Sequence, residues 1–225
     1  MTRRGVFVTG TDTGVGKTRV ACALLRGCVA RGERAVGMKP VAAGAEMRGG
    51  RLWNEDVALL RAASNSQAPQ RLVNPYCFAP PIAPHLAARE AGVEIRIETI
   101  VEAFGALAAR ADWVVVEGAG GLLVPLSENC DMGQVACALA LPVVLVVGMR
   151  LGCLNHALLT VRAIRELGLT LAGWVANCID PDAARLQQNI GSLRNRIPAP
   201  LLAQIAFDPT HAASRLIIEL PRQLN

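Results

Sequence analysis

A chain of 225 residues and 23.8 kDa, 52% hydrophobic and 18% charged, is long enough for one well-buried domain and too apolar for disorder. Aromatics are only 4%, so the core must be built from Ala, Val, Leu and Ile, which favours helices on a parallel sheet over an aromatic-rich sandwich. The net charge of +5 is carried by scattered arginines with no basic run longer than Arg3–Arg4, which argues against nucleic acid as a partner.

The first apolar run, Val6–Thr9, reads as a strand, too short and too soon broken by Gly10 to act as an export signal. It leads into Gly10-Thr-Asp-Thr-Gly-Val-Gly-Lys17-Thr18 and a helix expected over Thr18–Ala30. Between a strand and a helix, that pattern is a phosphate-binding loop. Its glycines let backbone N–H groups turn inward, and the helix N-terminus adds positive potential. Lys17 is placed for the β- and γ-phosphates, and the Thr18 hydroxyl for Mg²⁺. The spacing departs from the usual one: Thr11 stands where a glycine is normal, and Gly10 comes one residue earlier. No Asn-Lys-x-Asp guanine-reading motif occurs, which leans the nucleotide towards adenine.

A second strand, Ala35–Met38, ends at Lys39. The chain holds 21 arginines but only two lysines, Lys17 and Lys39, and the two cations are not interchangeable where phosphate is gripped. Lys39 therefore reads as a selected ammonium, set against the simpler reading of a snorkelling strand-end lysine; in either case it is expected to contribute little to stability. Next come a glycine-rich irregular stretch, Ala45–Arg51, and Asn54-Glu-Asp56, which opens a helix over Glu55–Ala63. Asn and Asp there are favoured caps. Ser64–Pro84, with five prolines, reads as a long irregular loop.

Helix Ile97–Arg110 precedes strand Trp113–Glu117, which ends in an acid followed by Gly118-Ala-Gly-Gly121. A strand-end acid beside a phosphate loop is placed to be a metal-associated carboxylate. Helix Met132–Ala140 and strand Val143–Val147 follow. The longest apolar stretch, Ala136–Val147, is broken by Pro142, and a bilayer needs ~20 residues, so a soluble chain with no membrane partner is expected. From its residues, Leu151-Gly-Cys-Leu-Asn155-His156 reads as an ordinary strand-to-helix turn, although a helix N-terminus can also hold a carboxylate. Helix Asn155–Leu167, strand Leu171–Ala176, helix Asp182–Arg194 and strand Leu201–Ala206 complete the series. His85 and His156 have no carboxylate or cysteine at ligand spacing.

Seven cysteines (22, 28, 77, 130, 137, 153 and 178), with no C-x-x-C pair, point to reduced thiols in a cytoplasmic protein rather than to disulfides or zinc. Unbroken apolar strands alternating with helices predict a single α/β domain over residues 1–225. The expected fold is a P-loop NTPase fold, a mostly parallel doubly wound sheet flanked by helices.

The segments Gly10–Thr18, Met38-Lys-Pro-Val41, Asn74-Pro-Tyr76, Ala83-Pro-His85, Val116-Glu-Gly-Ala-Gly-Gly121, Gly148–His156 and Gly173-Trp-Val-Ala-Asn177 occur in the order seen in dethiobiotin synthases. The chain resembles that family over nearly its whole length, and the elongated loop spacing is typical of it. The resemblance implies an ATP-dependent ring closure in biotin synthesis: 7,8-diaminononanoate, CO₂ and ATP give dethiobiotin, ADP and phosphate. It also implies a cytoplasmic homodimer with active sites at the subunit interface.

Carried onto this chain, the resemblance assigns nucleotide binding to Gly14, Val15, Gly16, Lys17, Thr18, Arg19, Asp56, Glu117, Gly118, Ala119, Gly120, Asn177, Cys178, Ala206, Phe207 and Asp208, with Asn177 reading adenine. Thr18, Asp56 and Glu117 would hold Mg²⁺, and Lys39 and Lys17 would be catalytic. Thr13, Lys39 and Ala43 would meet the substrate, whose carboxylate is received by Gly152, Cys153 and Asn155 of the neighbouring subunit. Three positions depart from the family pattern. Ala43 stands where serine is common, Gly14 replaces an acid, and Asn189 stands where some members have tyrosine. These bear on substrate affinity more than on the reaction. The rival class, switch or partitioning ATPases with a deviant P-loop, usually carries a lysine early in the loop, where this chain has Asp12. A module that binds nucleotide without turnover is disfavoured by Lys17, Lys39 and Glu117 occurring together.

Overall fold

The computed structural model describes residues 4–208 and 216–220, so Arg3 lies outside the described residues. The strands in chain order are β1 (Gly5–Gly10), β2 (Ala35–Met38), β3 (Val41–Ala42), β4 (Glu46–Arg48) and β5 (Arg51–Trp53), then β6 (Tyr76–Cys77), β7 (Trp113–Gly121), β8 (Val143–Met149), β9 (Leu171–Cys178) and β10 (Leu201–Ile205). The helices are α1 (Lys17–Ala30), α2 (Glu55–Ala63), α3 (Gln70–Val73) and α4 (Pro84–Glu90), then α5 (Ile97–Ala108), α6 (Met132–Leu139), α7 (Cys153–Glu166) and α8 (Leu186–Arg194).

Six strands form one parallel sheet in the order β10-β9-β8-β1-β7-β2. Side chains alternate across it, as a period of two requires. Phe7, Val114, Val116, Leu145 and Val147 enter one apolar layer with α5, α6 and α8; Val6, Val8, Val115, Val144 and Val146 enter the other, against α1. Both layers are dry, which is why these strands read as continuous apolar runs. Every strand of a parallel sheet delivers its carboxyl end to the same edge. The residues following β1 and β2 and the carboxyl-terminal part of β7 therefore meet in one crevice, at the point where the chain switches sides of β1, with the ends of β8 and β9 along the same edge of the sheet.

Several expected boundaries move. The stretch Ala45–Arg51 is not irregular: β4 and β5 pair as an antiparallel hairpin around Gly49 and Gly50. Ser64–Pro84 contains α3 and β6, and β6 pairs in parallel with β3, so the prolines punctuate short elements instead of abolishing them. Helix α4 follows at once, with Pro84 in its first turn, where the missing N–H costs nothing. The last helix starts at Leu186, not Asp182, because Arg185 takes a left-handed backbone at φ 58°. Among the described residues, no helix is long and apolar enough to cross a membrane, and all seven cysteines are free thiols.

Candidate active site

The phosphate loop leaves β1 already stitched to β8. The Thr11 amide donates to the Val146 carbonyl (3.0 Å), and the Gly148 amide donates to the Thr11 hydroxyl (3.3 Å). Gly16 ends the loop at φ 90°, a region costly for any residue with a Cβ, and a Cβ there would run into the Asn177 amide. Helix α1 begins on Lys17 and Thr18, so its unpaired N-terminal amides belong to the loop. Lys17 is buried and lies back across the loop, with Nζ 2.9 Å from the Asp12 carbonyl. Burial and the nearby Lys39 ammonium lower its pKa to about 8, against the pull of Glu117, Asp56 and Asp12.

Around Thr18 the charges converge. Asn54 caps α2 by accepting from the Val57 amide (3.3 Å), which leaves Asp56 in the first turn free to face α1. The capping role suggested by the sequence thus falls to Asn54 alone. The Thr18 hydroxyl lies 2.7 Å from Asp56 Oδ1 and 2.9 Å from Glu117 Oε1. Lys39 Nζ lies 2.9 Å from Asp56 Oδ2 and 2.5 Å from Glu117 Oε1. Asn74 fastens the lysine from behind, donating to the Lys39 carbonyl (2.7 Å) and to that of Tyr76 (2.8 Å). Burial alone would lower the Lys39 pKa, but Glu117 and Asp56 outweigh it and keep the ammonium charged. Asp56 is held below the usual carboxylate range: burial would raise it, and Lys39 and Thr18 more than compensate.

This burial corrects the expectation that Lys39 contributes little to stability. It is 5% exposed, and Glu117 beside it is 1% exposed, so removing the lysine would strand buried negative charge. Glu117 also has a second oxygen, Oε2, that is buried without a hydrogen-bond partner. One hydroxyl proton can serve only one of the two carboxylates facing Thr18. An all-oxygen set with an orphaned carboxylate oxygen is chemistry that fits Mg²⁺, a hard cation that takes one or two carboxylates and completes its shell with phosphate oxygens and water.

Half of the residues assigned by resemblance come together in one place. Thr13, Gly14, Gly16, Lys17, Thr18, Lys39, Ala43, Asp56, Glu117, Ala119 and Gly120 line one cavity of about 630 Å³. Val41, Val124 and the run Pro81–Pro84 complete its wall. The sequence assigns none of these a site role: Val41, Ala83 and Pro84 occur in the family segments, Pro81 in the crowding of prolines before His85, and Ile82 and Val124 carry no signal. Val15 and Gly118 do not line the cavity, and Val15 packs in the core.

Two other groups sit apart from that cavity. Cys178 ends β9, and past β10 lie Ala206, Phe207 and Asp208, with Arg19 3.5 Å from Asp208. Buried Asn177 donates to the Val15 carbonyl (2.8 Å), while its Oδ1 is buried without a partner, an acceptor suited to an exocyclic amine. Gly152, Cys153 and Asn155 open α7, where Gly152 has φ 92° and Leu151 before it is 97% exposed. Asn189 lies in α8, its amide 3.5 Å from the Ala184 carbonyl.

Comparison with known proteins decides the family. A family model described as an AAA domain matches residues 4–215. At 54% identity, 95% of the chain aligns with 92% of the ATP-dependent dethiobiotin synthetase BioD of Nitrosospira multiformis. The corresponding protein of Aromatoleum aromaticum matches at the same identity, over 95% of this chain and 96% of its own. The chain belongs to the dethiobiotin synthetase family. Among solved structures, the septum site-determining protein MinD of Pyrococcus horikoshii, complexed with Mg-ADP, gives a TM-score of 0.55 at 16% identity over 96% of this chain and 86% of that one. The MinC:MinD complex of Aquifex aeolicus gives 0.57 at 13% over 92% and 83%. At such identities the likeness is one of fold, a P-loop NTPase sheet, on which the dethiobiotin synthetase family places its own side chains.

Proposed function

We propose that the protein is an ATP-dependent cyclo-ligase that converts 7,8-diaminononanoate, CO₂ and ATP into dethiobiotin, ADP and phosphate. The observation that carries this reading is the convergence of Thr18, Lys39, Asp56 and Glu117 beside a phosphate loop, in a member of an ATP-dependent synthetase family. One amine takes up CO₂ as a carbamate, and a carbamate oxygen attacks the γ-phosphoryl group as the bond to ADP breaks. The second amine then attacks the carbon of the mixed anhydride, phosphate leaves, and the five-membered urea closes. No nucleophilic side chain is required.

The work of the protein is electrostatic. Negative charge crowds onto the phosphoryl oxygens, and Lys17 and Lys39 supply two ammonium groups aimed at that volume. Thr18, Asp56 and Glu117 would hold Mg²⁺, which when bound neutralises phosphate oxygens as a Lewis acid. Asn177 would accept from the adenine amine, and the wall of Pro81–Pro84 and Val41 would limit water at the anhydride. The departures at Ala43 and Gly14 lie on the cavity, where they would bear on the diamine and leave the phosphoryl chemistry untouched.

The same reading makes the protein a cytoplasmic homodimer in which the α7 turn, Gly152–Asn155, receives the substrate carboxylate of the neighbouring subunit. Its support here is that α7 buries only Cys153, Ala157 and Ile164, while Leu151 and Leu159 are exposed. The switch-ATPase alternative loses its main attribute, since position 12 is an aspartate paired with Arg150 of its own chain. Phosphate release measured with and without the diamine and bicarbonate tests the proposal. Release that ignores the diamine but responds to DNA or membranes would sink it.

A further inference from the structure

The phosphate loop is an anion-binding device, yet it contains a carboxylate of its own. Asp12 sits two residues into the loop, within electrostatic reach of Lys17. Its Oδ1 accepts from the Thr13 amide (2.7 Å), its backbone carbonyl accepts from Lys17 Nζ (2.9 Å), and its Oδ2 lies 2.5 Å from Arg150 Nη2. Arg150 follows β8 directly, and its own carbonyl accepts from the Cys153 amide (3.0 Å) in the first turn of α7. One arginine therefore touches both the start of the phosphate loop and the turn that opens α7. Neither the motifs of the loop nor the cavity beside it assigns it a role.

We infer that Arg150 is a positioning residue of the nucleotide site: it neutralises Asp12 and pins the first turn of the phosphate loop to the end of β8, which also fixes the loop relative to the α7 turn. Without Arg150, Asp12 would bring an uncompensated negative charge to the place where a polyphosphate binds, and the carbonyl against which Lys17 rests would lose its anchor. The inference rests on the nucleotide-binding half of the proposed function and on the structure around Asp12. The pair is nearly half exposed, with side chains 42% and 47% accessible, so solvent and salt screen it and a moderate effect is expected.

The test is the affinity for Mg·ADP, measured calorimetrically on the purified full chain. Arg150→Met should weaken binding about two- to fivefold at low salt, the range of a partly exposed ion pair. Arg150→Lys should stay within about twofold of the parent because the charge is retained. Adding Asp12→Asn to Arg150→Met should recover most of the loss, since the offending carboxylate is removed while an oxygen remains for the Thr13 amide. Pinning alone, with no charge to compensate, predicts the opposite, a double variant no better than Arg150→Met. That result, or unchanged affinity in Arg150→Met, overturns the inference. A second readout is the ratio of diamine affinities with and without a non-hydrolysable ATP analogue, which Arg150→Met should draw towards one. If the parent protein binds nucleotide but not the diamine, the ligase reading fails, while the nucleotide arm still decides the role of Arg150.

Discussion

Lys39 and Glu117 are 5% and 1% exposed and hold each other at 2.5 Å, whereas Leu151, beside the α7 turn, is 97% exposed, and Gly152, Cys153 and Asn155 line no part of the main cavity. At the phosphate end, the chain itself supplies the counter-charges and the hydrogen bonds that orient them: Asn74 behind Lys39, Asn54 capping the helix of Asp56, and Asp12 beneath Lys17. At the α7 end there is a helix N-terminus, a glycine in the left-handed region and an apolar surface. The first region is organised before anything binds, as electrostatic catalysis requires. The second offers amides that acquire a purpose only against another molecule. Damage to the first should appear in turnover and stability, and damage to the second in the substrate concentration needed.

The largest expected effects are at Lys39. Lys39→Arg keeps the charge but brings a wider planar head between Asp56 and Glu117, and should lower turnover by roughly 10²-fold or more. Lys39→Met strands the buried Glu117 carboxylate beside the partly exposed Asp56 and should cost about 3 kcal/mol in denaturant unfolding, the low end for a buried pair because solvent screens Asp56. Near-normal turnover in the arginine variant would show that phosphoryl charge is met elsewhere. Glu117→Gln should raise the Mg²⁺ concentration needed for half-maximal phosphate release on the order of tenfold. An unshifted Mg²⁺ curve would remove Glu117 from the metal site.

The α7 end should respond differently. Asn155→Ala is expected to raise KM for the diamine about tenfold with kcat little changed, the worth of one hydrogen bond to a charged group. An equal fall in kcat and kcat/KM would mean that the turn acts in the transition state, and the contrast between the regions would collapse. At diamine concentrations well below the raised KM, mixing Lys39→Arg with Asn155→Ala subunits should regenerate sites of parental KM if the two ends belong to different subunits, and no restoration would place them in one chain. Gly152→Ala should be the mildest change, about 1 kcal/mol of stability from a Cβ at φ 92°, or a few degrees in Tm.

The same division decides what could be read in advance. Five of the six sheet strands were legible because they are buried on both faces and therefore written as apolar runs, Val143–Val147 most plainly, while the edge strand β10 is partly exposed and carries Gln204 on its open side. The phosphate loop was legible because the glycines and Lys17 sit between a strand and a helix. Lys39 stood out because this chain uses arginine almost everywhere else and because it falls in the family segment Met38–Val41. What stayed hidden depends on partners distant in sequence. Nothing near Asn74 announces that its amide holds the Lys39 carbonyl, and nothing near Asp12 announces Arg150, 138 residues away. The proline-rich stretch was misread for a related reason: β6 exists through its pairing with Val41 and Ala42, and α4 through a proline at a position where proline is tolerated. Apart from the family segment Gly148–His156, nothing in the chemistry of the α7 turn distinguishes it from any other strand-to-helix turn.

The strand order has a consequence for how the protein is made. The strand at the middle of the sheet, β1, is the first to leave the ribosome, and its neighbours pair with it through Gly5↔Val114 and Phe7↔Val143. At ~5–20 residues per second, an apolar segment with two open edges must wait roughly 5–30 s for its partners. During that interval it is a template for pairing with other chains, and the phosphate loop at its end has nothing to be stitched to. Yield at high expression rates should therefore depend on what shields Val6–Thr9 during synthesis, a vulnerability that the finished sheet conceals completely.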